Sequence, residues 1–142
     1  MTKPKTDEQK DFDSFMPARA KAAESYTNGD SGPVLALLTR HGKSTFFGPG
    51  GGYTEGAKEV AATHEHGAKA FEPGGENRLE LLQVFASDGV GYWVGIQHAT
   101  VRMHGKSEPV PMSLRVTEVF RREGEEWKLV HRHADMLAEK NK

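Results

Sequence analysis

One stretch near the carboxyl end decides the fold: RVTEVFRREGEEWKLVHRHAD, residues 115–135. Two runs with strand-like alternation flank a turn at Gly124, a layout that predicts an antiparallel hairpin. Because the side chains of a strand alternate between its faces, an unbroken second strand places on one face Trp127, Leu129, His131, His133 and Asp135. That face starts apolar and ends in two imidazoles and a carboxylate, which indicates a strand that leaves the core and enters a cavity.

The composition indicates a single globular domain. The chain has 142 residues, of which 36% are hydrophobic and 27% charged, with a formal net charge of −1 at pH 7. This length suffices for a hydrophobic core, and this charge balance gives no reason to expect nucleic acid or an anionic membrane as a partner. The chain has no cysteine, which excludes disulfides, thiolate catalysis and thiolate metal sites. We expect a cytoplasmic protein, because no apolar run reaches the roughly 18 residues of a membrane span and the N-terminus lacks a signal peptide's apolar segment.

Helical patterns precede strand patterns along the chain. The helical patterns cover 12–28, 34–38 and 56–70. Alternating runs predict strands at 44–47, 79–85, 90–103, 110–122 and 127–135. Pro17 fits the first turn of the first helix, and Pro73-Gly74-Gly75 is expected to break the chain before the long strands.

This order of elements predicts an α+β fold. Strands of ten or more residues twist and curl, so we expect a cone-shaped, mostly antiparallel sheet that wraps around the N-terminal helices. One domain is expected over residues 10–136, between flexible tails at 1–9 and 137–142.

Three segments resemble a known superfamily. They are Asn28-Gly29-Asp30 with the short apolar helix after it, FFGPGGGY at 46–53 with Gly56 opening the next helix, and the hairpin stretch itself. Over roughly residues 12–135 the chain resembles the SnoaL-like and ketosteroid-isomerase-like proteins of the nuclear transport factor 2-like superfamily, the cystatin-like α+β cones. The hairpin also resembles the association domain of calcium/calmodulin-dependent kinases. The resemblance implies a conical sheet, a pocket between sheet and helices, and a dimer packed through the sheets.

Most of the catalytic residues of a ketosteroid isomerase are missing from this chain. That enzyme needs a carboxylate base and an oxyanion hole made of a tyrosine and a protonated aspartic acid. Here Gly48 stands at the position of the base, before Pro49, and Ala23 at that of the tyrosine. Glu118, aligned through Phe120, matches the acidic donor as the longer acid. Steroid isomerisation by that mechanism is therefore not expected.

Glu118, His131 and His133 are the candidate catalytic residues. Glu118 lies in an apolar register, where an acid either meets a partner or has a raised pKa. It is either a pocket acid that faces the two histidines across the hairpin or one half of a salt bridge at a sheet edge, to Arg102, Arg115 or Arg132. Each histidine is either catalytic or a hydrogen-bonded structural residue.

Aromatic residues from four parts of the chain are candidates to line the pocket. They are Tyr26, Phe47, Tyr53, Trp93 and Phe120. Tyr53 follows the glycine-rich loop 48–52, which is expected to bend the chain at the pocket mouth.

Three motifs resemble metal or phosphate sites, but their spacing does not fit such sites. His131, His133 and Asp135 span about 13 Å along a regular strand and cannot converge on one ion without a bulge. On a helix, the side chains of His64 and His66 point in nearly opposite directions. The segment His64-Glu65-His66 is therefore expected to be a solvated helix face. Gly42-Lys43-Ser44-Thr45 lacks the upstream glycine of a phosphate-binding loop. No metal or cofactor is expected.

Two functions remain open from the sequence. The first is a pocket for a small, largely apolar molecule with a polar group, with acid–base chemistry of the isomerase or cyclase type. The alternative is a non-catalytic module for ligand binding or oligomeric assembly. In either case a homodimer is expected.

Overall fold

The computed structural model describes residues 5–138. Its elements follow in the order α1 (Asp7–Tyr26), α2 (Gly32–Leu37), β1 (Thr45–Phe47), β2 (Tyr53–Glu55), α3 (Ala57–Ala68), β3 (Phe71–Ser87), β4 (Val90–Met103), β5 (Val110–Glu123) and β6 (Glu126–Met136). The α+β prediction is confirmed, since three helices lie against one curved, mostly antiparallel sheet. The short strand β2 was not predicted.

Helix α1 begins earlier than the sequence predicted. Thr6 caps it by accepting a hydrogen bond from the backbone N–H of Gln9, and Asp7 and Glu8 place negative charge in the first turn. Pro17 therefore lies in the middle of the helix rather than in its first turn. Of the predicted tails, residues 1–4 and 139–142 lie outside the described residues.

The six strands form one sheet in the order β2-β1-β6-β5-β4-β3. The pairings are antiparallel, except that β1 runs parallel to β6. Contrary to expectation, Pro73-Gly74-Gly75 does not break the chain, because β3 continues through an irregularity between Glu72 and Glu76. Asn28 holds this irregularity, since its Oδ1 accepts hydrogen bonds from the backbone N–H groups of Gly74 and Gly75.

The core lies between α1 and the inner face of the sheet, which is the face turned toward the helices. Phe12 is fully buried, and its ring lies 5.6 Å from that of Phe120 and 5.0 Å from that of Trp127. The core extends along β5 and β6 as far as Leu114 and Ala134, which also border the candidate site. Among residues 5–138, no helix combines the length and the apolar character that a membrane crossing requires.

Candidate functional site

A bulge in β6 reverses the side-chain pattern on which the sequence analysis depended. Val119 pairs with His131, but the next residue of β5, Phe120, pairs with Leu129, so Val130 is an extra residue. A bulge of one residue moves every later side chain to the opposite face. The prediction of one uninterrupted face is therefore wrong beyond Leu129, and Arg132, rather than either histidine, lies opposite Glu118.

Glu118 lies on the inner face, in the middle of a buried network. Its Oε1 accepts hydrogen bonds from Arg19 Nε at 2.8 Å and from Trp93 Nε1 at 2.7 Å. Its Oε2 accepts from Arg19 Nη2 at 2.8 Å and from Arg132 Nη1 at 2.7 Å. A second bond from Arg132, Nη2 to Gln97 Oε1 at 3.1 Å, extends the network across β4. The salt bridge considered from the sequence is present with Arg132, but it lies in the interior rather than at a sheet edge.

The network keeps Glu118 ionised. Burial raises the pKa of this carboxyl, but the charges of Arg19 and Arg132 outweigh that effect and lower it to about 2. Attraction to Glu118 likewise outweighs burial for Arg19 and raises its pKa. Burial lowers the pKa of Arg132, and repulsion by Arg19 adds to this. With both oxygens occupied, Glu118 is placed to hold the two arginines rather than to exchange a proton.

A cavity of about 250 Å³ opens beside this network, between the helices and the inner face of the sheet. Most of its wall is apolar. The residues that line it are Arg19, Ala23, Tyr26, Thr27, Val34, Phe46, Pro49, Thr63, His64, Gly67, Phe71, Gln97, Met112, Leu114, Arg132 and Ala134. Glu118 itself is not among them and lies behind the guanidinium groups.

His64 on α3 is the histidine that lines the cavity. It is 5% exposed, and its Nδ1 lies 2.9 Å from the carbonyl oxygen of Val60. A carbonyl oxygen can only accept a hydrogen bond, so Nδ1 carries a proton and Nε2 presents a lone pair when the ring is neutral. Burial lowers the pKa of His64, which favours the neutral ring. The expectation of a solvated helix face was wrong for His64, although Glu65 and His66 are exposed.

Two polar atoms at this cavity lack partners within residues 5–138. They are Arg19 Nη1, which is a donor, and His64 Nε2, which is an acceptor in the neutral ring. Buried polar atoms are almost always hydrogen-bonded. A cavity lined by one unpaired donor and one unpaired acceptor can therefore orient a small molecule that supplies the missing partners.

The aromatic residues predicted for the pocket separate into three groups. Tyr26 lines the cavity, and its ring lies 6.1 Å from that of His64. Trp93 and Phe120 are fully buried beside it, in the Glu118 network and the core respectively. Phe47 and Tyr53 lie on the outer face, the side of the sheet turned away from the helices. Phe46, the neighbour of Phe47, lines the cavity instead.

The predicted catalytic histidines belong to the outer face as well. The rings of His131 and His133 lie 5.0 and 5.6 Å from that of Phe47, and Thr45 Oγ1 is 2.7 Å from His131 Nδ1. The bulge therefore separates both histidines from the cavity by the thickness of the sheet. The structure does not bring Glu118, His131 and His133 together.

The residues that sequence reasoning missed are Arg19 and His64. In α1, Arg19 continues a stripe of buried residues at helical spacing that begins with Phe12 and Met16. In α3, His64 falls between buried Val60 and buried Ala68, four residues from each. An ionisable residue inside an apolar helical stripe is a signal that could have been read from the sequence.

The comparisons with solved structures agree with the fold. The architecture is that of the nuclear transport factor 2-like cones. A candidate dehydratase of that family from Streptomyces avermitilis is 20% identical with a TM-score of 0.76, and the match covers 92% of this chain and 98% of the other. A superfamily protein from Salmonella enterica is 13% identical with a TM-score of 0.75, over 94% and 93% of the two chains. A candidate calcium/calmodulin-dependent protein kinase type II association domain from Thiobacillus denitrificans is 19% identical with a TM-score of 0.63, over 89% and 94%.

The family model for the SnoaL-like domain matches residues 18–139. The chain therefore belongs to the SnoaL-like family, as its sequence pattern predicted. No curated protein matches the sequence significantly.

Proposed function

We propose that the protein binds a small, largely apolar molecule in the inner cavity and that His64 exchanges a proton with it. The observation that carries this proposal is the pair of unpartnered atoms at one cavity, Arg19 Nη1 and His64 Nε2. Apolar walls with a few convergent polar groups are typical of small-molecule sites. A ligand oxygen that accepts from the arginine would lie near a base able to take a proton from the same molecule.

The cavity volume limits the size of the ligand. An apolar cavity of about 150 Å³ accommodates benzene, so the present volume of about 250 Å³ has room for about ten non-hydrogen atoms. Thr63, Gln97 and Tyr26 add polar groups around the wall. A single ring with a short oxygen-bearing side chain fits these limits.

The chemistry we propose is proton transfer next to a carbonyl group. A neutral imidazole with a depressed pKa is unprotonated at neutral pH and can act as a general base. The net positive charge of the two guanidinium groups at the cavity, those of Arg19 and Arg132, would stabilise negative charge that develops on the carbonyl oxygen, which is the role of an oxyanion hole. This assignment replaces Glu118 as the base, because Glu118 has both oxygens occupied by donors.

Proton abstraction can be tested without knowing the natural substrate. We expect the protein to accelerate deuterium incorporation into phenylacetone, 2-indanone or phenylpyruvate in D₂O. Proton NMR measures the rate of this exchange. Replacing His64 by glutamine should reduce the enzymatic exchange rate about 100-fold or more, since general base catalysis contributes about 10²–10⁴. His66→Gln is the matched control, because His66 is exposed on the same helix, and it should exchange at the wild-type rate. Equal rates for wild type and His64→Gln would contradict the assignment.

A non-catalytic binding module is the second candidate. The same cavity supports it, since an unpaired donor and an unpaired acceptor orient a ligand whether or not a proton moves. Binding of the three compounds without deuterium exchange in any of them would favour this alternative over the enzyme.

We also propose that the protein forms a homodimer through the outer face of the sheet. On this face Leu82 is 60% exposed and Phe85 is 51% exposed, and the Phe85 ring packs against that of Tyr92. Exposed apolar patches of this kind typically mark interaction sites. A second copy of the chain would cover both side chains with an equivalent surface.

Sedimentation equilibrium tests the dimer. We expect the mass of two chains for wild type and the mass of one for Leu82→Arg/Phe85→Arg, because two charges within the interface would be buried without partners. Tyr53→Arg is the control, since Tyr53 is 74% exposed at the far edge of the sheet, and it should remain dimeric. A wild-type protein that sediments as one chain at micromolar concentration would rule out the proposal.

A further inference from the structure

The charged groups at the cavity do not balance. Arg19 and Arg132 line it and carry two positive charges, and Glu118 behind them supplies one negative charge. Both arginine side chains are nearly buried, with 4% and 11% of their surface exposed. One positive charge is therefore held in the interior without a counter-charge among the described residues at the cavity.

The other groups that face the cavity do not supply the missing charge. His64 on α3 and Tyr26 on α1 are both neutral at pH 7, because burial lowers the pKa of the imidazole and raises that of the phenol. Gln97 on β4 and Thr63 on α3 carry no charge, and the remaining lining residues from α2, β1, β3 and β5 are apolar. A buried charge without a partner is costly, so the site is incomplete as it stands.

The unpartnered atom lies on one of the two guanidinium groups. Glu118 occupies Nε and Nη2 of Arg19, and Nη1 is left without a partner. A guanidinium presents donors in a planar fork that suits carboxylate oxygens. A neutral acceptor or a water molecule would satisfy the donor but would leave the excess charge in place.

We propose that the ligand of the cavity is a monoanion, an apolar body that carries one carboxylate, with the carboxylate directed at Arg19 Nη1. This inference rests on the proposed function, since it names the class of molecule that the same cavity takes. The apolar body lies against Phe46, Phe71 and Val34, which belong to the apolar part of the wall. A cationic ligand is excluded, because it would add to the uncompensated charge.

Pairs of acids and amides of equal size test the charge alone. Isothermal titration calorimetry at pH 7 is carried out with phenylacetate against phenylacetamide and with hexanoate against hexanamide. We expect each acid to bind about tenfold or more tightly than its amide, because a charge-assisted hydrogen bond is roughly twice as strong as a neutral one. A tenfold difference in Kd corresponds to about 1.4 kcal/mol of binding free energy. Arg19→Met should remove this preference, and Arg19→Lys should keep most of it.

The outcomes separate this inference from the proposal on which it rests. Equal affinity for acid and amide, or tighter binding of the amide, would overturn the anion while leaving a small-molecule site intact. No binding of any of the four compounds would overturn both. The wild-type comparison needs no substitution, so it decides the question even if near-ultraviolet circular dichroism shows that Arg19→Met does not fold.

Discussion

Replacing Glu118 by glutamine is expected to lower the free energy of unfolding by about 3–5 kcal/mol, the range for breaking a buried ion pair by removing one partner. The side chain is fully buried and accepts four hydrogen bonds, from Arg19, Trp93 and Arg132. Glutamine keeps the size but removes the charge, so two guanidinium groups would lie in the interior with no counter-ion. Urea unfolding followed by tryptophan fluorescence measures the change.

An exposed ion pair away from the outer face provides the control. Lys5 donates from Nζ to Asp13 Oδ2 at 2.8 Å, beside α1. Exposed pairs contribute little to stability, so Asp13→Asn should unfold at nearly the same urea concentration as wild type. If Glu118→Gln and Asp13→Asn behaved alike, the buried network would not have the structural role we assign to it.

Replacing Gly95 by alanine is expected to destabilise the fold by about 3 kcal/mol or more, at or beyond the upper end for overpacking a core. Gly95 lies on β4 opposite the irregularity of β3 between Leu81 and Gln83. A Cβ atom built there would lie 2.0 Å from the backbone oxygen of Glu80. Since the obstacle is backbone rather than a flexible side chain, β3 and β4 would have to separate at this point.

Gly52→Ala is the matched control for this substitution. Gly52 lies in the glycine-rich loop, where an added Cβ would meet nothing within 4 Å. Its unfolding midpoint should match that of wild type within error. A Gly95→Ala protein with the wild-type melting temperature would show that β3 and β4 are not in close contact at this point.

The fold was predictable because it depends on patterns that are local in the sequence. The hairpin with its turn at Gly124 and the long alternating runs before it indicate an antiparallel sheet without any knowledge of tertiary contacts. The helix start at Asp7 was missed because its cap, Thr6, lies in a stretch of charged residues that reads as a tail. The continuation of β3 through Pro73-Gly74-Gly75 was missed because it depends on hydrogen bonds that Gly74 and Gly75 donate to Asn28, 46 and 47 residues away in the chain.

The candidate site was less predictable, because one bulge decides which residues face it. Nothing local marks Val130 as an extra residue, since the run from Trp127 onward alternates equally well in either register. Shifting the later part of β6 by one residue replaces His131 and His133 with Arg132 and Ala134 on the inner face. Arg19 and His64 could have been found as charged or titratable residues within apolar helical stripes. The contact of Arg19 with Glu118 on β5 and the position of His64 at the cavity are visible only in three dimensions.

A crystal structure of the protein grown with phenylacetate tests the central claim most directly, since that claim places the ligand between α1, α3 and the inner face of the sheet. We expect density in the cavity, with a carboxylate oxygen within hydrogen-bond distance of Arg19 Nη1 and the ring beside His64. Density on the outer face beside His131 and His133 with the cavity unfilled would contradict it.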